Sequence, residues 1–106
     1  MAEKLNRNAP AKVYYRAERV FGRPSCKEPL RVLIYLKEEA KPIVLEHGFF
    51  HTEGSDTINE YDARGRTKFA QLVPQIERVV VKTRSDDPGE PFDSYDAFIR
   101  RLMRDM

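Results

Sequence analysis

The chain has 106 residues, a net charge of +2 from 19 basic and 17 acidic residues, and one cysteine. This length supports one domain with one core, and the charge balance excludes a histone-like coat of nucleic acid. A lone cysteine forms no internal disulfide, and no apolar run approaches the ~20 residues of a membrane span. We therefore expect a cytoplasmic protein without a membrane anchor.

The polar residues 1–10 predict a flexible tail, followed by a single domain over residues 11–106. Between Val13 and Phe21 apolar side chains alternate with polar ones, which is the period of a half-buried strand. In such a strand Tyr14 and Arg16 face outward.

Two further strands are predicted from the next apolar segments. The sequence LRVLIYLK at residues 30–37 has one wholly apolar face, so we expect it to be the central strand. The five residues EEAKP then fit a hairpin connection to a strand from Ile43 to Glu53.

The segment after Glu53 is less regular. INEYD at 58–62 is a weak strand, and DARGR at 62–66 has the composition of a hairpin tip. Residues 67–73 fit either a strand or a short helix. The β-branched run near Val80 predicts a strand over Ile76–Thr83.

The last element is an amphipathic helix. Its apolar residues recur at helical spacing: Tyr95, Phe98, Ile99, Leu102, Met103 and Met106. Asp93 or Ser94 can cap its first turn. The predicted fold is α+β, an antiparallel meander of five or six strands that can be strongly curved or barrel-like, covered by this one C-terminal helix.

The two histidines of the chain, His47 and His51, are candidate metal ligands. On one strand they lie about 13 Å apart, too far to share an ion, and only a bulge at Gly48 brings them together. Cys26, beside Lys27, has no partner set for catalysis. The sequence therefore predicts no cofactor, no metal site and no catalytic residues.

Basic residues near aromatic ones give the stronger functional signal. Tyr14 could stack a base while Arg16 meets a phosphate. The hairpin tip adds Arg64, Arg66 and Lys68. A second basic surface lies on the C-terminal helix, at Arg100, Arg101 and Arg104. These eight residues are the predicted binding residues.

This pattern favours a non-enzymatic interaction protein, an adaptor, inhibitor or accessory regulator of a larger complex, because arginine and tyrosine are frequent at interface hot spots. The alternative is a nucleic-acid-binding protein that uses the same cations, and an enzyme centred on His47 and His51 ranks below both. The oligomeric state stays open, since the edges of a small sheet can pair with a second copy.

Overall fold

The computed structural model describes residues 10–22, 27–52, 73–83 and 87–104, with the backbone alone at 10 and 49–52. These residues form two helices, a short 3-10 turn at Val73–Gln75 and five strands. In chain order the elements are α1 Pro10–Phe21, β1 Arg31–Leu36, β2 Ile43–Glu46, β3 Phe49–Thr52, β4 Ile76–Lys82, β5 Glu90–Phe92 and α2 Tyr95–Met103. The predicted α+β class is confirmed.

The strands form one antiparallel sheet in the order β3-β2-β1-β4-β5. β1 lies at its centre, as predicted, and pairs with both β2 and β4. Because β4 returns to β1 instead of pairing with β3, the predicted meander is wrong in its order. Among the described strands β3 and β5 are unpaired edges, so the sheet is open and a barrel-like closure is not supported.

The strands differ from the predicted set. β4 coincides with the strand predicted at Ile76–Thr83, but α1 replaces the strand predicted at 13–21. The strand predicted at Ile43–Glu53 is a hairpin, and β5 lies in a segment for which no strand is predicted. Outside the described residues lie the tail at 1–9, the weak strand at 58–62, the hairpin tip at 62–66 and the undecided residues 67–72.

The apolar residues of α1 fit two periods at once, so their spacing alone does not distinguish a strand from a helix. Val13, Ala17 and Phe21 are spaced by four, which fits an alternating strand and also one face of a helix. Tyr14 distinguishes the two, since only a helix places it beside Val13 on the buried side. Both residues are buried. Pro10 at the first position favours the helix start, where its missing N–H costs nothing.

A two-residue turn at His47 and Gly48 divides the predicted strand. Their φ angles of 56° and 84° both lie in the left-handed region, as in a type I′ turn, whose twist matches that of the flanking strands. Glu46 therefore pairs with Phe49, and Val44 with His51. Gly48 adopts this conformation at little cost, and His47 tolerates it.

Both helices pack on the same face of the sheet. α1 lies against β2, α2 against β4 and β5, and the helices contact each other. The core between them is formed by Val13, Tyr14, Ala17, Val32, Ile34, Ile43, Leu45, Val79, Val81, Phe98, Ile99 and Leu102. α2 confirms the predicted C-terminal helix, and Ser94 caps it by accepting a hydrogen bond from the Ala97 N–H at 3.1 Å. Neither described helix is long and apolar enough to cross a membrane.

Candidate interaction surface on the helical layer

Most polar residues of α1 lie on its exposed side or beside α2. Lys12, Arg16 and Arg19 are spaced by four and three residues, so they share one flank. This flank faces α2, because Arg16 Nε donates a hydrogen bond to the carbonyl oxygen of Leu102 at 2.8 Å. Tyr15 is three residues after Lys12 and four before Arg19, so it lies beside both on the exposed side of α1, and its hydroxyl reaches the turn between β2 and β3.

Two arginines hold α1 and α2 together. Leu102 lies in the last turn of α2, where carbonyl groups lack partners within the helix and positive charge is favoured by the helix dipole. Arg16 supplies both the donor and the charge. On the other helix, the Arg101 guanidinium lies 5.2 Å from the centre of the Phe21 ring, a cation–π contact. These contacts join each helix to the other through a half-buried arginine.

Three more arginines lie exposed on the same two helices. Arg19 is in the last turn of α1, Arg100 is in α2 and Arg104 is its C-terminal cap. Arg100 makes a long hydrogen bond, 3.4 Å, to the Asp96 carbonyl of its own helix. Within the described part of the chain, no ion pair involves any of the three. We call Arg19, Arg100 and Arg104 the arginine surface.

The helical layer is more basic than the chain as a whole. α1, α2 and the α2 cap carry two acidic residues, Glu18 and Asp96, and six basic ones: Lys12, Arg16, Arg19, Arg100, Arg101 and Arg104. The entire chain has a net charge of only +2. The other residues of the chain therefore sum to a net charge of −2, so α1, α2 and the α2 cap account for the net positive charge.

Tyr14 lies in the core, not on an outward face. Its side chain is 0% exposed, and its ring packs 5.4 Å from Tyr15 and 6.2 Å from the His47 imidazole. The hydroxyl has no hydrogen-bond partner among the described residues. The outward position predicted for Tyr14 is therefore wrong, because it assumed a strand, and a fully buried ring cannot stack on a base.

Burial raises the pKa of the Tyr14 phenol above its ordinary value of 10.0. The His47 backbone opposes this shift, although the hydroxyl does not reach hydrogen-bond geometry with it. The negative charges of Glu18 and Glu46 add to the rise. Tyr14 therefore remains a neutral phenol at physiological pH.

The two histidines do not lie on one strand. His47 is an exposed turn residue whose carbonyl oxygen accepts a hydrogen bond from the Tyr15 hydroxyl at 3.3 Å. His51 is in β3, where only its backbone is described. Among the residues that the structure describes, no three His, Cys, Asp or Glu side chains gather in a way that could hold a metal ion.

An open depression of about 480 Å³ lies at the β1–β4 part of the sheet. It is lined by Tyr35, Glu39, Ala40, Glu77, Arg78 and Asp93. The Arg78 guanidinium lies 4.2 Å from the centre of the Tyr35 ring. This stack depends on the pairing of Tyr35 with Arg78 across the two strands, a register that the sequence alone does not reveal.

Comparison with known proteins yields no match. The chain matches no protein-family model, no curated protein and no solved structure. A functional assignment therefore rests on the geometry and charge of the chain itself.

The predicted binding residues thus separate into four groups. Arg100 and Arg104 are exposed, while Arg16 and Arg101 link the helices. Tyr14 is buried. The remaining three, Arg64, Arg66 and Lys68, lie outside the described residues, as does Cys26. Arg19 was not among the predicted residues, although its spacing from Arg16 on a helix would have identified it.

Proposed function

We propose that this chain is a non-enzymatic, cytoplasmic interaction protein, an adaptor, inhibitor or accessory regulator that binds a larger macromolecule through its arginine surface. The observation that carries the proposal is the pairing of α1 and α2. Arg16 and Arg101 link the helices, while Arg19, Arg100 and Arg104 remain exposed on them.

Two physical arguments support this reading. Arginine is enriched among the residues that dominate binding energy at protein interfaces. A surface carried on helices that already pack against a core loses less conformational freedom on binding than one carried on loops. The arginine surface has both properties, since α1 and α2 contribute much of the hydrophobic core.

Nucleic-acid binding is the competing function, and the concentration of positive charge on one layer favours it. It predicts that affinity falls steeply as salt is raised, because neutralised phosphates release counterions. The burial of Tyr14 weakens this alternative for single strands, since the predicted stacking residue is inside the core.

A matched pair of charge variants tests the proposal. The first variant replaces Arg19, Arg100 and Arg104 with glutamate. The control replaces three exposed lysines away from the helices, Lys27, Lys37 and Lys41, and changes the net charge equally. Circular dichroism establishes that both remain folded. Each protein, with wild type, is then used for affinity capture from the native cell, with mass spectrometry and nucleic-acid extraction on the same sample.

We expect wild type and the lysine variant to retain the same partner and the arginine variant to lose it. Loss from both variants would mean that net charge alone drives the association. Retention by the arginine variant would show that the partner binds elsewhere. Either result would overturn the proposed function.

A further inference from the structure

The arginine surface is suited to a partner of opposite charge. Its members are exposed, carry no ion pair within the described residues, and belong to a layer with six basic and two acidic side chains. Charge complementarity at interfaces steers association and selects partners. The layer therefore fits a carboxylate-bearing or phosphate-bearing surface, and the two differ in what else they require.

A nucleic-acid duplex fits this layer poorly. α1 has 12 residues and α2 has 9, so the helices are about 18 Å and 14 Å long. Duplex DNA presents one charge per roughly 1.7 Å, and strong binders neutralise about 6–10 phosphates. Here three arginines are exposed, and two more already contact Leu102 and Phe21.

A single strand also lacks its usual platform. Sequence-tolerant binding of single strands depends on exposed aromatic rings that stack on bases. Within the described ranges the one exposed large hydrophobic side chain is Tyr15, at 51%. Its hydroxyl donates a hydrogen bond to the His47 carbonyl oxygen, and one ring does not form a platform for successive bases.

A carboxylate partner needs neither a long track nor a stacking platform. The planar guanidinium group matches a carboxylate with two parallel hydrogen bonds. Resting on the proposed function, we propose that the arginine surface binds an acidic segment of a partner protein, one that presents glutamate or aspartate side chains along one face of a helix.

Titration of isotope-labelled protein with defined probes tests this inference. The probe is a synthetic helical peptide with glutamates at i, i+4 and i+7, and the matched probe has glutamine at those positions. Duplex DNA, single-stranded RNA and vesicles with anionic lipid serve as the competing chemistries. Amide chemical shifts report both the affinity and the residues that respond, at low and at physiological salt.

We expect the glutamate peptide to shift amides at Arg19, Arg100 and Arg104 and the glutamine peptide to leave them unchanged. The arginine variant should bind the glutamate peptide about tenfold more weakly, since exposed ion pairs are individually modest and three of them are lost. The lysine variant should match wild type. Tighter binding of DNA, RNA or vesicles at these amides, or no response to the glutamate peptide, overturns the inference.

The two proposals fail separately. If affinity capture shows a protein partner that depends on the arginine surface but the glutamate peptide does not bind, the acidic segment is wrong and the interaction function stands. If the captured partner is independent of the arginine surface, the proposed function fails whatever the peptide does.

Discussion

Arg16 of α1 donates its Nε hydrogen to the carbonyl oxygen of Leu102 near the end of α2, at 2.8 Å, and so connects the two helices through residues 86 positions apart in the chain. We expect Arg16→Met to lower the free energy of unfolding by about 1–2 kcal/mol, because it removes a charged donor from a half-buried carbonyl. Urea denaturation measures this change. The control is Arg19→Met, on the same flank and exposed, which should change stability by no more than about 0.5 kcal/mol. Equal effects would mean that the hydrogen bond contributes little.

Tyr14→Phe should leave the protein as stable as wild type, or more stable by up to about 1 kcal/mol, at neutral pH. The substitution keeps the buried ring and removes a hydroxyl that has no described hydrogen-bond partner. Burying such a group costs desolvation free energy that no hydrogen bond offsets. Thermal unfolding measures the change. Tyr14→Leu, which also removes ring packing, is the comparison and should be destabilising. A clear loss of stability in Tyr14→Phe would show that the hydroxyl has a partner.

Stability should decline above pH 10, and Tyr14 should account for part of the decline. Burial raises the pKa of the folded phenol above 10.0, so the unfolded chain loses this proton first as the pH rises. The part of the free energy of unfolding that depends on a neutral Tyr14 is fully present below pH 10, and it is lost as the pH rises through the folded-state pKa. Urea unfolding of wild type and Tyr14→Phe on both sides of pH 10 separates this effect from that of the other tyrosines. If the free energy of unfolding fell equally with pH in wild type and in Tyr14→Phe, the prediction would be contradicted.

Gly89→Ala should be more destabilising than Gly48→Ala, although both glycines have φ near +85°. A Cβ atom at Gly89 would lie 2.6 Å from Val80 Cγ1 and 3.1 Å from the Val81 carbonyl oxygen. At Gly48 the nearest atom, in Ala11, is 3.4 Å away. Both variants carry a cost of about 1–2 kcal/mol for the left-handed backbone, and overlap with β4 adds about 1–3 kcal/mol at Gly89. Comparable midpoints in chemical denaturation would show that the backbone between β4 and β5 shifts to accommodate the added methyl group.

Some elements were predictable because one local pattern dominated. The apolar face of β1 and the helical stripe of α2 each fit a single period, the β-branched run of β4 favours a strand, and all three elements are present. α1 was mistaken because a spacing of four fits both periods. The hairpin at His47 was missed because histidine stands where a type I′ turn usually has asparagine or aspartate.

The candidate surface was predictable only in part. The arginines of α2 follow from a helix that the sequence identifies. The contribution of Arg19 and the linking role of Arg16 require the knowledge that α1 is a helix and lies beside α2. That adjacency comes from burial of two apolar stripes on one sheet face, which is a tertiary effect and has no local signature.

The position of β1 between β2 and β4 bears on how the chain folds. The β1–β2 and β2–β3 pairs are hairpins that can form locally, whereas the register of β1 with β4 joins Arg31 to Lys82, across about half the sequence. Closing such a span loses chain entropy before the contacts between the strands repay it. We therefore expect the β1–β4 pairing to limit the folding rate. Truncating Val79, which faces Ile34 across that pair, should slow folding more than it speeds unfolding.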